Sequence, residues 1–140
     1  MKLVYICSPY AGDIEKNVRF ARAACLYAAE HGCAPVAVHL LYPQLLDDAI
    51  LAQRELGIRM GLRVMAYCEE LWICGEHISH GMSCEIAEAE RLGIHVIRLS
   101  TEQIQKGYQI KLLSDHPIEG EIKQEETPSS CLKLQLCPHR

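Results

Sequence analysis

The chain reads as an α/β protein, an open parallel sheet of four to five strands with helices on both faces, of the flavodoxin or Rossmann-like kind. Three observations predict this class. Short apolar runs at Leu3 to Cys7, Ala34 to His39, Leu71 to Cys74 and Ile94 to Leu99 alternate with longer segments of helical period. The runs are too continuously apolar for strands with one wet face, which suits a sheet covered on both sides. Strand, helix and strand follow one another closely enough to make right-handed crossovers the default.

The elements justify themselves in order. Leu3 to Cys7 is rich in Val, Tyr and Ile, and Ser8, Pro9, Tyr10, Ala11 and Gly12 break it. Asp13 is a natural N-cap for the helix from Ile14, in which Val18, Ala21, Cys25 and Ala29 recur at helical spacing before Gly32 stops it. Ala34 to His39 is the second strand. Parallel strands share their carboxyl ends, so the loops after Cys7 and His39 fall at one edge of the sheet, and His39 is a candidate site residue as well as a candidate structural histidine. Leu40 to Ala49, with Pro43, Asp47 and Asp48, connects to a long helix over Ile50 to Cys68. Its apolar side holds Leu51, Ile58, Leu62 and Met65, and Arg54 belongs among its outward residues. Gly57 and Gly61 inside that helix cost roughly 1 kcal/mol each relative to alanine, so each marks a kink, a close contact or room for a ligand.

Leu71 to Cys74 is the third strand, and Ile78 to Leu92 contains the helix around which the rest is organised. A strand, a polar loop with Gly75 and Gly81, and a helix is the layout that places ligands beyond strand ends. Ser79, the amides near Gly81 and the helix dipole suit an anion such as a phosphate, and Glu85 is expected in the first helical turn beside it. A carboxylate there is also what the dipole alone favours. Ile94 to Leu99 is the fourth strand, and Ser100, Thr101 and Gln103 cap a short helix reaching about Gln109. Residues 1–113 form the domain. Residues 114–140 read as an acidic, mobile tail in which Leu132 to Leu136 is a candidate edge strand.

Composition removes several function classes. At 140 residues the chain is one domain's worth. A net charge of -4 with scattered basic residues gives no electrostatic reason to bind a nucleic acid polymer or a bilayer. No apolar run approaches the roughly 20 residues of a transmembrane helix, and Met1 to Cys7 reads as a strand rather than a signal peptide, so a cytoplasmic setting is expected. Of the eight cysteines, six fall singly within apolar patterns, as free core thiols do. No pair has Cys-x-x-Cys spacing, and neither a metal nor a cofactor is expected; Cys131, Cys137 and His139 are a weak exception.

Val4-Tyr-Ile-Cys-Ser-Pro-Tyr10, the second-strand ending Val-Ala-Val-His39, and Ser79-x-Gly81-x-x-x-Glu85 before an Ala-rich helix together resemble the nucleoside 2-deoxyribosyltransferase superfamily over about Leu3 to Leu99. The likeness is strongest to an uncharacterised short bacterial and phage branch, related to deoxynucleoside 5'-monophosphate N-glycosidases. It implies cleavage of an N-glycosidic bond in a small-molecule nucleoside or nucleotide, by hydrolysis or deoxyribosyl transfer, in a homo-oligomer. Glu85 takes the place of the nucleophile and Tyr5 orients it. Ser8, His39, Ser79, Gly81 and Met82 become substrate-binding candidates. The family's helix aspartate aligns with Gly61, which leaves Asp48 and Glu69, with Asp47 and His39, as candidate acids. It equally opens the alternative of a catalytically altered module that senses or sequesters a nucleotide-derived molecule.

Overall fold

The computed structural model describes residues 1–106. The expected helix end at Gln109, the tail, its edge strand and Cys131, Cys137 and His139 lie outside the described residues.

Four parallel strands, β1 (Lys2–Cys7), β2 (Cys33–Val36), β3 (Glu70–Cys74) and β4 (His95–Leu99), form one sheet in the order β2-β1-β3-β4. Side chains of a strand alternate between faces, and the core divides accordingly. Val4 and Ile6 pack with Ala24, Ala28, Trp72 and Ile104 on one side. Tyr5 and Cys7 pack with Met65, Leu71, Ile73, Met82 and Ala89 on the other. Helix α1 (Ile14–Glu30) and the helical residues 101–106 therefore cover the first face, and α2 (Leu51–Met65) and α3 (His80–Leu92) the second. This is the α/β architecture with helices on both faces.

Local chemistry sets the ends. Asp13 caps α1 by accepting the Lys16 amide at 3.1 Å. Gly93 closes α3 at φ 69°, a left-handed conformation that glycine adopts without a Cβ clash. The amino-terminal edge of the sheet is pinned by Glu70, which is buried and accepts from Lys2 and from Trp72 Nε1 at 2.8 Å. The Lys2 bond is the main reason that its carboxyl is held below the usual range.

Several boundaries differ from the sequence reading. The second strand ends at Val36, and His39 lies in a 3-10 turn over Val38–Leu40, followed by another over Tyr42–Gln44. Pro35 within β2 lacks an N–H to donate, which suits an edge strand but not a longer one. Helix α2 spans less than the 50–68 expected, because Ile50 is extended at its N-cap and residues 66–67 form a turn. Only part of the expected apolar side is covered: Met65 is fully buried, whereas Leu51 is 71% and Ile58 42% exposed.

Candidate functional site

Beyond the carboxyl ends of the strands lies a hollow of about 310 Å³. Its walls come from the loop after β1, the two 3-10 turns, α2 and the start of α3. Ser8, His39, Asp48, Ser79, Gly81, Met82 and Glu85 all line it, although they come from distant parts of the chain.

At its base, the fully buried Tyr5 donates its hydroxyl hydrogen to Glu85 Oε1 at 2.7 Å. The bond exists because Tyr5 sits on the β1 face that α3 covers. Glu85 is not in the first turn of α3, as the sequence suggested. The cap is Ser79, so Glu85 lies in the second turn, where the chain direction carries it over β1 rather than to the helix mouth. Dipole stabilisation of a first-turn acid therefore does not account for it. Burial pushes the Glu85 carboxyl up, against hydrogen bonds from Tyr5 and Cys7 that favour its charged form. The Tyr5 hydroxyl and Cys7 thiol are themselves driven far up, by burial first and by the Glu85 charge second.

Ser79 has a local task. Its Oγ accepts the Met82 amide at 3.3 Å, while the Ser79 amide meets Met82 Sδ at 3.5 Å, a capping box closed by a thioether. Met82 is buried and Gly81 is exposed. On the opposite wall, Ser8 Oγ lies 2.9 Å from His39 Nε2, and Tyr10 meets the His39 ring edge-on. Burial lowers His39 to about 4, so the ring is held neutral near pH 7.

Glu69 does not join the group. It is exposed just before β3, its amide bonded to Leu3 O at the amino-terminal edge of a parallel sheet, the end opposite the hollow. Asp48 lines the hollow from the exposed connecting stretch. Gly61 faces Tyr5: a Cβ built there would stand 3.2 Å from Tyr5 Oη and 3.3 Å from Val38 Cγ2. The glycine thus gives the helix a close approach to the hydroxyl that holds Glu85.

Sequence reasoning missed Tyr10, Tyr42, Arg54 and Cys7. Arg54, expected to point outward, is exposed and also borders the hollow, near the start of α2. Alternation along β1 was the signal for Cys7, which shares a face with Tyr5. Tyr42 lies in a 3-10 turn that periodicity does not reveal. Among the described residues no group of three or more His, Cys, Asp or Glu is placed to hold a metal ion, and no helix is long and apolar enough to cross a membrane.

Residues 2–99 match the family model described as a domain of unknown function, DUF7768. The chain belongs to this family. In this DUF7768 protein the matched region runs from β1 to the end of β4 and takes in every residue of the hollow. Comparison with curated proteins found no match. Among solved structures, the DUF7768 chain is similar to a 2-desoxiribosyltransferase from Leishmania mexicana, with 15% sequence identity and a TM-score of 0.49. That likeness covers 71% of this chain and 65% of the other, less than two thirds of its length.

Proposed function

We propose that the protein cleaves the N-glycosidic bond of a nucleoside or nucleotide, as a hydrolase or deoxyribosyltransferase, with Glu85 as nucleophile. The observation that carries this reading is the 2.7 Å bond from Tyr5 to Glu85, a residue on the lining of an open, sugar-sized hollow. The sequence resemblance to the nucleoside 2-deoxyribosyltransferase superfamily agrees with it.

In this mechanism Glu85 Oε1 accepts the Tyr5 hydrogen bond while Oε2 attacks the anomeric carbon. A glycosyl-enzyme ester forms as the base departs, and water or an acceptor base then opens the ester, as in retaining glycosidases. The Tyr5 bond fixes which lone pair is presented and stabilises the carboxylate needed for attack. Burial opposes that charge, leaving a carboxylate that gains by bonding to carbon. Ser79, Gly81 and Met82 at the start of α3, with Arg54, are the substrate-positioning candidates, and Asp48 is the remaining candidate acid.

Incubation of the purified protein with a panel of ribo- and deoxyribonucleosides and their monophosphates, with free base read by chromatography, tests the reading. Base release abolished by Glu85→Gln is the expected result. A Glu85→Gln protein that releases base like the parent overturns it. Gly61 in place of a helix acid favours the second reading, a nucleotide-binding module. That reading predicts tight binding by calorimetry with the ligand recovered intact.

A further inference from the structure

We infer that the hollow takes N-glycosides whose base is already cationic, such as a pyridinium or an N-alkylated purinium, so that the leaving group departs neutral and needs no proton. This rests on the proposed role of Glu85 and specifies its substrate class.

The hydrogen donors bonded to Glu85 are already engaged, and the other lining groups that could carry a proton, His80 and Asp48, are exposed to solvent, not buried beside it. Tyr5 donates to Glu85, and Cys7 bears on the same carboxylate. His39 is tied to Ser8 and held neutral by burial, so it offers no imidazolium at neutral pH. The α2 residue facing Tyr5 Oη is Gly61, which has no side chain to supply an acid. A neutral base leaving such a site would carry its electron pair away unprotonated, which forfeits the roughly 10² to 10⁴ that a positioned acid contributes.

The lining also suits a cation. Tyr10 and Tyr42 bring aromatic rings to it, and Asp48 brings a carboxylate. Asp47 continues that negative character into an adjoining hollow, which shares Tyr10 and Asp48 with the first. Arg54 has the opposite sign and suits a phosphate on the same ligand, so a nucleotide bearing a cationic base satisfies both.

The chemistry balances without an acid. A Glu85 oxygen bonds to the anomeric carbon as the carbon-nitrogen bond breaks, and the released electron pair cancels the positive charge on the ring nitrogen. Water oxygen then bonds to the same carbon, the ester bond returns its electron pair to Glu85, and one water proton passes to solvent.

Matched probes test this in the full chain: guanosine 5'-monophosphate against its N7-methyl cation, and nicotinamide mononucleotide against a neutral pyrimidine ribonucleotide. The expected kcat/KM for each cation exceeds that of its neutral partner by at least about a hundredfold, the share of a missing acid. Calorimetry on the Glu85→Gln protein reads the lining without turnover. The methylated nucleotide should bind about tenfold tighter than its parent, with the difference reduced by Asp48→Asn. Neutral partners cleaved within about tenfold of the cations, in a Glu85-dependent way, overturn this inference and leave the proposed function standing. No base released from any of these probes overturns the inference, and none released from the wider ribo- and deoxyribonucleoside panel either, by parent and Glu85→Gln alike, overturns both.

Discussion

Replacing Gly61 by alanine should cost more stability when the Tyr5 hydroxyl is present than when it is absent. A Cβ at position 61 would lie 3.2 Å from Tyr5 Oη and 3.3 Å from Val38 Cγ2, tighter than ordinary van der Waals contact. Overpacking of this kind costs typically about 1 to 3 kcal/mol, against a gain of roughly 1 kcal/mol from putting alanine in place of glycine inside a helix. Gly61→Ala alone should therefore be neutral to about 2 kcal/mol destabilising. Tyr5→Phe removes the crowded oxygen and leaves only the Val38 methyl close, so adding Gly61→Ala in that background should cost less than it does in the parent. The coupling between the two changes should be about 1 kcal/mol, within the range found for residues in contact. Urea unfolding of the parent, both single variants and the double variant measures it. Effects that add within about 0.3 kcal/mol would refute the claim that the glycine exists to admit the hydroxyl.

Other outcomes follow from the same geometry. The Glu85 carboxyl is raised in the folded protein, so the fold binds its proton more tightly than the unfolded chain does, and stability falls as pH rises from the ordinary value of 4.5 through the folded value. Glu85→Gln should then melt higher than the parent at pH 8, with the gap closing toward pH 4 by calorimetry; a constant gap contradicts the burial argument. His39 has the opposite sense. Its folded value of about 4, against 6.5 in the unfolded chain, means stability is lost as pH falls between those two values. At about 1.4 kcal/mol per unit the loss is at most about 3 to 4 kcal/mol, and His39→Gln should flatten that part of the profile in urea titrations. Ser79→Ala should lower stability by about 1 kcal/mol through the lost cap, and Ser79→Asp should restore it, because aspartate caps equally well. An unchanged Ser79→Ala midpoint would show that the cap contributes nothing.

Much of the fold was legible because its signals are local. Val4, Tyr5 and Ile6 form an apolar run that only a covered strand tolerates, and Asp13 and Gly93 are punctuation whose chemistry acts within a few residues. The boundary errors have two sources. The pairing of β2 with β1 stops at Val36, one residue after Pro35, and the sequence reading carried the strand on to His39 past that proline. Helix α2 looked amphipathic, yet Leu51 and Ile58 stay exposed, since burial depends on where the helix axis sits over the sheet. In the candidate site, periodicity marked His39 and Ser79 only as positions near strand and helix ends, whereas Glu69, which immediately precedes a parallel strand, belongs by that position alone at the amino-terminal edge and off the site.

From its own order of residues the chain determined alternating strands and helices, the Asp13 cap that begins α1 and the Gly93 stop that ends α3, and the parallel arrangement that gathers loops at one edge. These follow from hydrogen-bonding and packing rules that act over a turn or two. Only the tertiary structure decided that Tyr5 meets Glu85 across 80 positions, that Gly61 and not an acid stands over that bond, and that Arg54 borders the cleft. Such pairings depend on the offset and angle at which whole elements pack, and those are set by the summed contacts of two core faces rather than by any neighbouring residue.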